Sequence, residues 1–272
     1  MPAIEDFLRE DVGTEDVTTN AIVPEDHRSR AKIVVKAPGV LAGQGFAKEI
    51  FTILDRDIAY REHVKDGEAV SPGDVIATVE GTTRAILTAE RVALNILQRL
   101  SGIATLTKTF VDAASGTKAR ILDTRKTTPG MRAMEKYAVT MGGGTNHRSN
   151  LTQMALIKEN HIAVAGSIHL AVERVRARSS VPVEVEVRTM EELKEAVEAK
   201  VERIMLDNWD TALMHNAVAF VAGRVPLEAS GNMTAARVRE VAATGVDLIS
   251  VGALTHSAKA LDISLLHEGV GT

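Results

Sequence analysis

VPVEVEVRTMEELKEAVEAKVERIMLD, residues 181–207, contains one complete unit of the fold. VPVEVEV (181–187) and RIMLD (203–207) are short apolar runs of strand type, and MEELKEAVEAK (190–200) between them has a helical pattern with Thr189 as its N-cap. A strand, a helix and a second strand in this order form a crossover, which makes the two strands parallel.

The same rhythm extends in both directions from there. ARILD (119–123), MALIK (154–158), VPLEAS (225–230) and DLISV (247–251) are further strand candidates. IHLAVERVRAR (168–178), ALMHNAVAFVA (212–222) and AARVREVAA (235–243) are helical, the last capped by Thr234. Serial units spaced by roughly twenty to thirty residues give a parallel sheet or a barrel, and the segment is short for eight complete units, which take about 250 residues. An incomplete barrel over residues 105–272 is therefore expected. Residues 1–104 read differently: RAKIVVKAPGVLAG, DIAYREHV and GDVIATVEG are strand-like, while AKEIFTILD and the long TAERVALNILQRLSGIATLTKTFVDAA are helical. An α+β sandwich domain linked by helices to the barrel is expected there.

Composition narrows the function. The 272 residues are 45% hydrophobic and 25% charged, the balance of a globular protein. No run approaches the eighteen or so apolar residues of a membrane span. The acidic opening MPAIEDFLRED is unlike a signal peptide, so a cytoplasmic address is expected. With no cysteine, disulfides, thiolate metal sites and a cysteine nucleophile are excluded. A net charge of −4 argues against a nucleic-acid surface, yet it hides a cluster. Lys118, Arg120, Arg125, Lys126, Arg132, Lys136, Arg148 and Lys158 face only Asp123 and Glu135 within residues 118–158, a local +6. By itself this could be a solvated basic face.

Position decides otherwise, because a parallel barrel carries its active site at the C-terminal ends of its strands. Those ends here are Asp123-Thr124-Arg125-Lys126, Lys158, Glu186, Asp207-Asn208, Glu228 with Ser230-Gly231-Asn232, and Gly252. One polar strand end is usually a cap or a turn; six in succession bearing ionisable or phosphate-binding groups point to a shared, basic, anion-binding site. Arg125, Arg148, Lys126 and Lys158 suit carboxylates and phosphates. Glu186 and Asp207 are oxygen ligands of the kind magnesium takes alongside substrate phosphate, with ion pairs to nearby cations as the alternative. Ser230-Gly231-Asn232 before the helix begun at Thr234, and Gly252, can offer backbone N–H groups to a phosphate. Gly142-Gly143-Gly144 is either a similar anion nest or a helix C-cap followed by a mobile loop. His147, His161 and His256 lie in polar motifs that suit anion binding, whereas His27, His63, His169, His215 and His267 read as surface or packing residues. No histidine pair has helical zinc spacing.

These stretches also resemble a known family. ERVALNILQRLSGIAT (90–105), DTRKTTPGMR (123–132), EKYAV with GGGTNHR (135–148), LIKENH (156–161), VEVEV (183–187), MLDN (205–208), EASGN (228–232) and GVDLISVGALTHS (245–257) are similar to the quinolinate phosphoribosyltransferases. The likeness runs from EDVGTEDVTT to LDISL, nearly the whole chain. Two departures stand out: Glu159 replaces the family's usual Asp, which could alter the loop carrying His161, and GTED (13–16) replaces a G-x-G-D pattern. The resemblance implies an N-terminal sandwich domain, an open seven-stranded α/β barrel, and a homodimer, or a higher assembly of dimers, in which the first domain caps the partner's barrel. It implies transfer of phosphoribosyl from phosphoribosyl pyrophosphate to quinolinate with decarboxylation, giving nicotinate mononucleotide, pyrophosphate and carbon dioxide in NAD biosynthesis. Arg125, His147, Arg148, Lys158 and Thr124, with the partner subunit's Arg91, would hold quinolinate. Lys126 would straddle both substrates. Glu186 and Asp207 would hold Mg2+ and, with Lys126, form the catalytic set. Ser230, Gly231, Asn232, Gly252 and His256 would surround the 5′-phosphate, and no organic cofactor is implied.

Three rival readings remain at this stage. A barrel protein of molybdenum transport shares the fold and part of the motif set. A Schiff-base aldolase could use Lys158 at its strand end. EHVKDGEAVSPGDVIATVEG resembles the hairpins of biotinyl and lipoyl carriers, but it lacks a suitably placed lysine.

Overall fold

A computed structural model describes residues 4–268. In chain order the elements are α1 (Ile4–Val12), α2 (Val17–Ile22), β1 (Arg28–Val35), β2 (Gly39–Val40), α3 (Gln44–Leu54), β3 (Ala59–Glu62), β4 (Ala69–Val70), β5 (Val75–Thr82) and α4 (Thr83–Ala113). There follow β6 (Arg120–Leu122), α5 (Arg132–Met141), β7 (Ala155–Ile157), α6 (Glu159–Ala165), α7 (Ile168–Arg176), β8 (Val183–Val187) and α8 (Met190–Glu198). The chain ends with β9 (Arg203–Asp207), α9 (Thr211–Val221), β10 (Leu227–Ser230), α10 (Ala235–Ala243), β11 (Leu248–Ser250), α11 (Ala253–His256) and β12 (Ile263–His267). None of the helices among the described residues is long and apolar enough to cross a membrane.

Two compact units divide the chain. One takes the residues up to Lys108, Thr128–Gly143 and the stretch from Ser257 onward; the other takes Thr109–Thr127 and Gly144–His256. In the first, an antiparallel sheet runs in the order β12-β1-β5-β3. Ala31, Ile33 and Val35 of β1 are fully buried, and so are Ile50 and Phe51 of α3 and Leu97 and Leu100 of α4. The core of this unit therefore lies between sheet and helices.

A single cut at residue 104 does not reproduce this unit. β12 pairs with β1, Ala31 opposite His267 and Val35 opposite Ile263, because Ile263 and Leu265 are apolar at alternate positions and need a buried sheet face. α5 also belongs here. Its Glu135, fully buried, accepts from Arg99 of α4 at 2.7 Å and from the Thr128 hydroxyl at 2.8 Å. Its Tyr137 donates to Asp66 at 2.6 Å, and burial together with that carboxylate raises the phenol pKa.

The second unit is the parallel one, with strand order β6-β11-β10-β9-β8-β7. Its last strand, β11, lies beside its first, β6, which is the circular order of a barrel. Seven strands were expected, and six are described. The seventh place holds only a one-residue parallel bridge from Leu122 to Thr145, so the circle is open between Thr145 and β7. Helices α8 and α10 start where the sequence places them: the Thr189 hydroxyl accepts from the N–H of Glu192 and the Thr234 hydroxyl from that of Arg237, each at 3.2 Å. All five residues of β8 are buried, and alternation puts Val183, Val185 and Val187 on one face and Glu184 and Glu186 on the other. That second face builds the site.

Candidate active site

Within the second unit a cavity of about 800 Å³ opens at the C-terminal ends of the strands. The residues that the resemblance assigns to quinolinate, phosphoribosyl pyrophosphate and Mg2+ all line it, with the exception of Arg91. Arg91 is exposed on α4 in the first unit.

Side chains two residues apart on a strand share a face, so the cavity has a rim and a floor. Lys158, Glu186, Asp207 and Ser230 form the rim. Leu156, Met205 and Glu228 line it one step lower on β7, β9 and β10, with Ser250 of β11 beside them, and Glu184 stands at that level on β8. On the rim Lys158 Nζ meets Glu186 Oε2 at 2.6 Å. Asp207 Oδ2 lies 3.8 Å from Arg188 Nε, and Arg188 also pairs with Glu159. Both strand-end carboxylates thus hold a cationic side chain, the alternative that the sequence left open. Glu159, the departure from the family pattern, begins α6 and is tied to Arg188.

The basic wall comes from the loops after β6 and after Thr145. The Thr124 hydroxyl accepts from the N–H of Lys126 at 3.0 Å, and the carbonyl of Lys126 accepts from the Thr255 hydroxyl at 2.8 Å. Gly252 admits this loop: a Cβ there would lie 3.0 Å from Lys126 Cδ and 3.3 Å from His256 Nε2. Arg148 donates to the carbonyl of Met154 at 2.7 Å. Burial, and after it the neighbouring Arg125 charge, push the Arg148 pKa down, which marks a cationic pocket that an anion would relieve.

Opposite lies a turn built from unusual backbone. Asn208, Gly231 and Asn232 have φ of 58°, 106° and 47°. Asn208 N–H donates to the carbonyl of Ser230 at 2.9 Å, and Asn232 Nδ2 to Asn208 Oδ1 at 3.3 Å. A Cβ at position 231 would stand 2.1 Å from Asn208 Oδ1, so only glycine fits this left-handed position.

The floor holds Glu184, which the strand-end reading missed, beside Glu228, which it named. Glu184 of β8 and Glu228 of β10 are fully buried on either side of Arg203 of β9. Arg203 NH1 lies 3.1 Å from Glu228 Oε2 and 4.0 Å from Glu184 Oε2. His147, also buried, sets Nε2 3.1 Å from Glu184 Oε2 and 3.5 Å from Glu228 Oε2. Burial raises the pKa of both carboxyls, that of Glu228 to about 7 with help from the Glu184 charge. The available signal for Glu184 was a second glutamate two residues before the strand-end Glu186, on the same face of VEVEV.

Two smaller expectations change. His161 does not line the cavity; its Nδ1 accepts from the N–H of Lys158 at 3.0 Å and caps α6. Gly142 is the C-cap of α5 and Gly143 follows with φ 85°, so the triple glycine ends a helix.

Residues 103–266 match the family description "Quinolinate phosphoribosyl transferase, C-terminal domain", and residues 16–101 match its N-terminal domain. The chain belongs to the quinolinate phosphoribosyltransferase family. Within that family it is 44% identical to a probable nicotinate-nucleotide pyrophosphorylase (carboxylating) of Bacillus subtilis, over 95% of this chain and 90% of that one. It is 45% identical to the chloroplastic nicotinate-nucleotide pyrophosphorylase (carboxylating) of Arabidopsis thaliana, covering 95% of this chain and 80% of the relative. The crystal structure of NadC from Streptococcus pyogenes superposes with a TM-score of 0.93 at 41% identity, covering 97% of this chain and 95% of that one.

Proposed function

We propose that this quinolinate phosphoribosyltransferase family member transfers phosphoribosyl from phosphoribosyl pyrophosphate to quinolinate and releases pyrophosphate and carbon dioxide, leaving nicotinate mononucleotide. The observation that carries this reading is one cavity with Arg125, Lys126, Arg148 and Lys158 on its walls and the glycine turn at Gly231 beside them. The cations match a planar diacid, and the turn and the start of α10 match a phosphate. Thr124, Arg125, Arg148 and Lys158 would hold quinolinate, with its ring nitrogen toward the ribose. Ser230, Gly231, Asn232, Gly252 and His256 would hold the 5′-phosphate. Lys126, between the two groups, would stabilise the departing pyrophosphate.

Glu186 and Asp207, two carboxylates on the rim, have the oxygen chemistry that magnesium takes and would hold it. Bound there, the ion supplies neutralisation of the pyrophosphate charge. The remaining work of the protein is positioning. The pyridine nitrogen forms a bond to the ribose carbon as the carbon–oxygen bond to pyrophosphate breaks. The ring nitrogen is then cationic and stabilises the electron pair left at the neighbouring carbon when carbon dioxide departs, and a proton fills that position.

We also infer a homodimer in which the partner subunit's Arg91 completes the quinolinate site, since Arg91 does not line the cavity of its own chain. A cytoplasmic address is proposed, in line with a chain that has no cysteine, and cell fractionation would test it. Lys158 does not favour an aldolase: it is half exposed and ion-paired with Glu186, unlike a desolvated Schiff-base lysine. Incubating the protein with quinolinate, phosphoribosyl pyrophosphate and magnesium should yield nicotinate mononucleotide and equimolar carbon dioxide. Absence of both products would reject the assignment.

A further inference from the structure

His147 makes two contacts that define its chemistry. Its Nδ1 accepts from the N–H of Arg148 at 2.7 Å, so that nitrogen carries no proton. In the neutral ring the proton is then on Nε2, which lies 3.1 Å from Glu184 Oε2. Nδ1 is taken by the backbone, and Nε2 is buried at floor level beside the two carboxylates with no hydrogen bond formed to either, so the ring's one N–H lies among the floor residues and not on the rim with Lys158. The peptide behind it is fixed as well. The N–H of His147 donates to Asp123 Oδ1 at 2.8 Å, and Asp123 is fully buried at the end of β6.

We propose that Glu184 and Glu228 are positioning residues that act through the His147 ring to fix the Arg148 backbone, and with it the guanidinium that grips quinolinate. The chain of contacts is continuous. Two buried carboxylates stand 3.1 and 3.5 Å from Nε2 and attract its N–H dipole without a formed hydrogen bond, the Nδ1 lone pair holds the Arg148 N–H, and the Arg148 guanidinium is braced on the Met154 carbonyl before it reaches the cavity. His147 is then part of the support for the quinolinate pocket rather than one of its ligands.

His147, Glu184 and Glu228 also form a set of metal-ligand type, with donor atoms within 4.8 Å of one another. Arg203 decides against that use. Its guanidinium already stands against both carboxylates, so an added ion would be placed beside a fixed positive charge.

The inference rests on the quinolinate reading only for its kinetic consequence, because the histidine tautomer is measured in the free protein. In nitrogen-15 spectra of histidine-labelled enzyme, His147 should show a protonated Nε2 and an unprotonated Nδ1, and quinolinate should leave that pattern in place. Glu184→Gln, nearly isosteric, should raise KM for quinolinate about tenfold and leave KM for phosphoribosyl pyrophosphate within about twofold. His147→Asn keeps an acceptor near the Arg148 N–H but cannot reach the floor. In that background Glu184→Gln should add less than about twofold, the non-additivity of residues acting in series. A protonated Nδ1, no effect of Glu184→Gln, or an equal effect in both backgrounds overturns the proposal. Failure of the unmodified enzyme to make nicotinate mononucleotide would instead reject the activity and leave the tautomer result standing.

Discussion

Gly231 has a φ of 106°, and the space a Cβ would need is filled by Asn208. Gly231→Ala should cost about 1–3 kcal/mol in urea unfolding, since the added methyl must displace Asn208 and strain the backbone. It should also raise KM for phosphoribosyl pyrophosphate more than KM for quinolinate; an equal change in both would remove the turn from the phosphate site. On the other wall, a ligand with one carboxylate leaves part of the Arg125, Arg148 and Lys158 charge without an anion. Nicotinate should therefore lose on the order of 3 kcal/mol relative to quinolinate, at least about a hundredfold in kcat/KM. Comparable efficiency on the two acids would contradict the diacid pocket. Residue type at strand ends was enough to find these groups, because the barrel turns every strand end toward one mouth. It was not enough for His147, whose sequence context gives polarity but not the direction in which each ring nitrogen faces.

Among the elements, β8 and β10 carry the buried pair, and β10 has a measurable signature. Glu228 is fully buried and its pKa is raised from 4.5 to about 7, first by desolvation and then by the charge of Glu184. The folded protein holds this proton more tightly than the unfolded chain does. The stabilisation is thus complete below about pH 4.5 and is lost as pH rises through about 7, a fall of roughly 3 kcal/mol at most. The urea midpoint of the wild type should decline between pH 5 and 7.5, and Glu228→Gln should remove that decline; parallel curves would refute the assignment to Glu228. Strands and helices of the second unit were legible from the sequence because each apolar run has one period, and the caps Thr189 and Thr234 act where they were read. α5 was not legible as part of the first unit. Its attachment depends on Glu135 meeting Arg99 and Tyr137 meeting Asp66, contacts between segments far apart in the chain.

For the molecule as a whole, the inferred dimer makes a quantitative expectation. Arg91→Ala and Lys126→Ala homodimers should each be nearly inactive, Arg91 serving the partner's site and Lys126 its own. A mixed dimer then has one site with both lesions and one with neither. Random exchange makes about half the dimers mixed, so roughly a quarter of wild-type activity should return. Mixed dimers verified by mass spectrometry with no recovered activity would mean that Arg91 does not serve a second subunit.

The pairing of β12 with β1 bears on how the chain is made. A ribosome delivers β1 early, and the segments of the parallel unit all follow before Ile263 emerges to lie against Val35. Until then one edge of the first sheet has its hydrogen-bonding groups exposed, available to the strand of any neighbouring nascent chain. The parallel unit is under no such delay, since its last segment, at His256, precedes β12. Emergence of Ile263–His267, rather than completion of the catalytic half, is therefore the moment at which the β1 edge is covered and that route to aggregation closes.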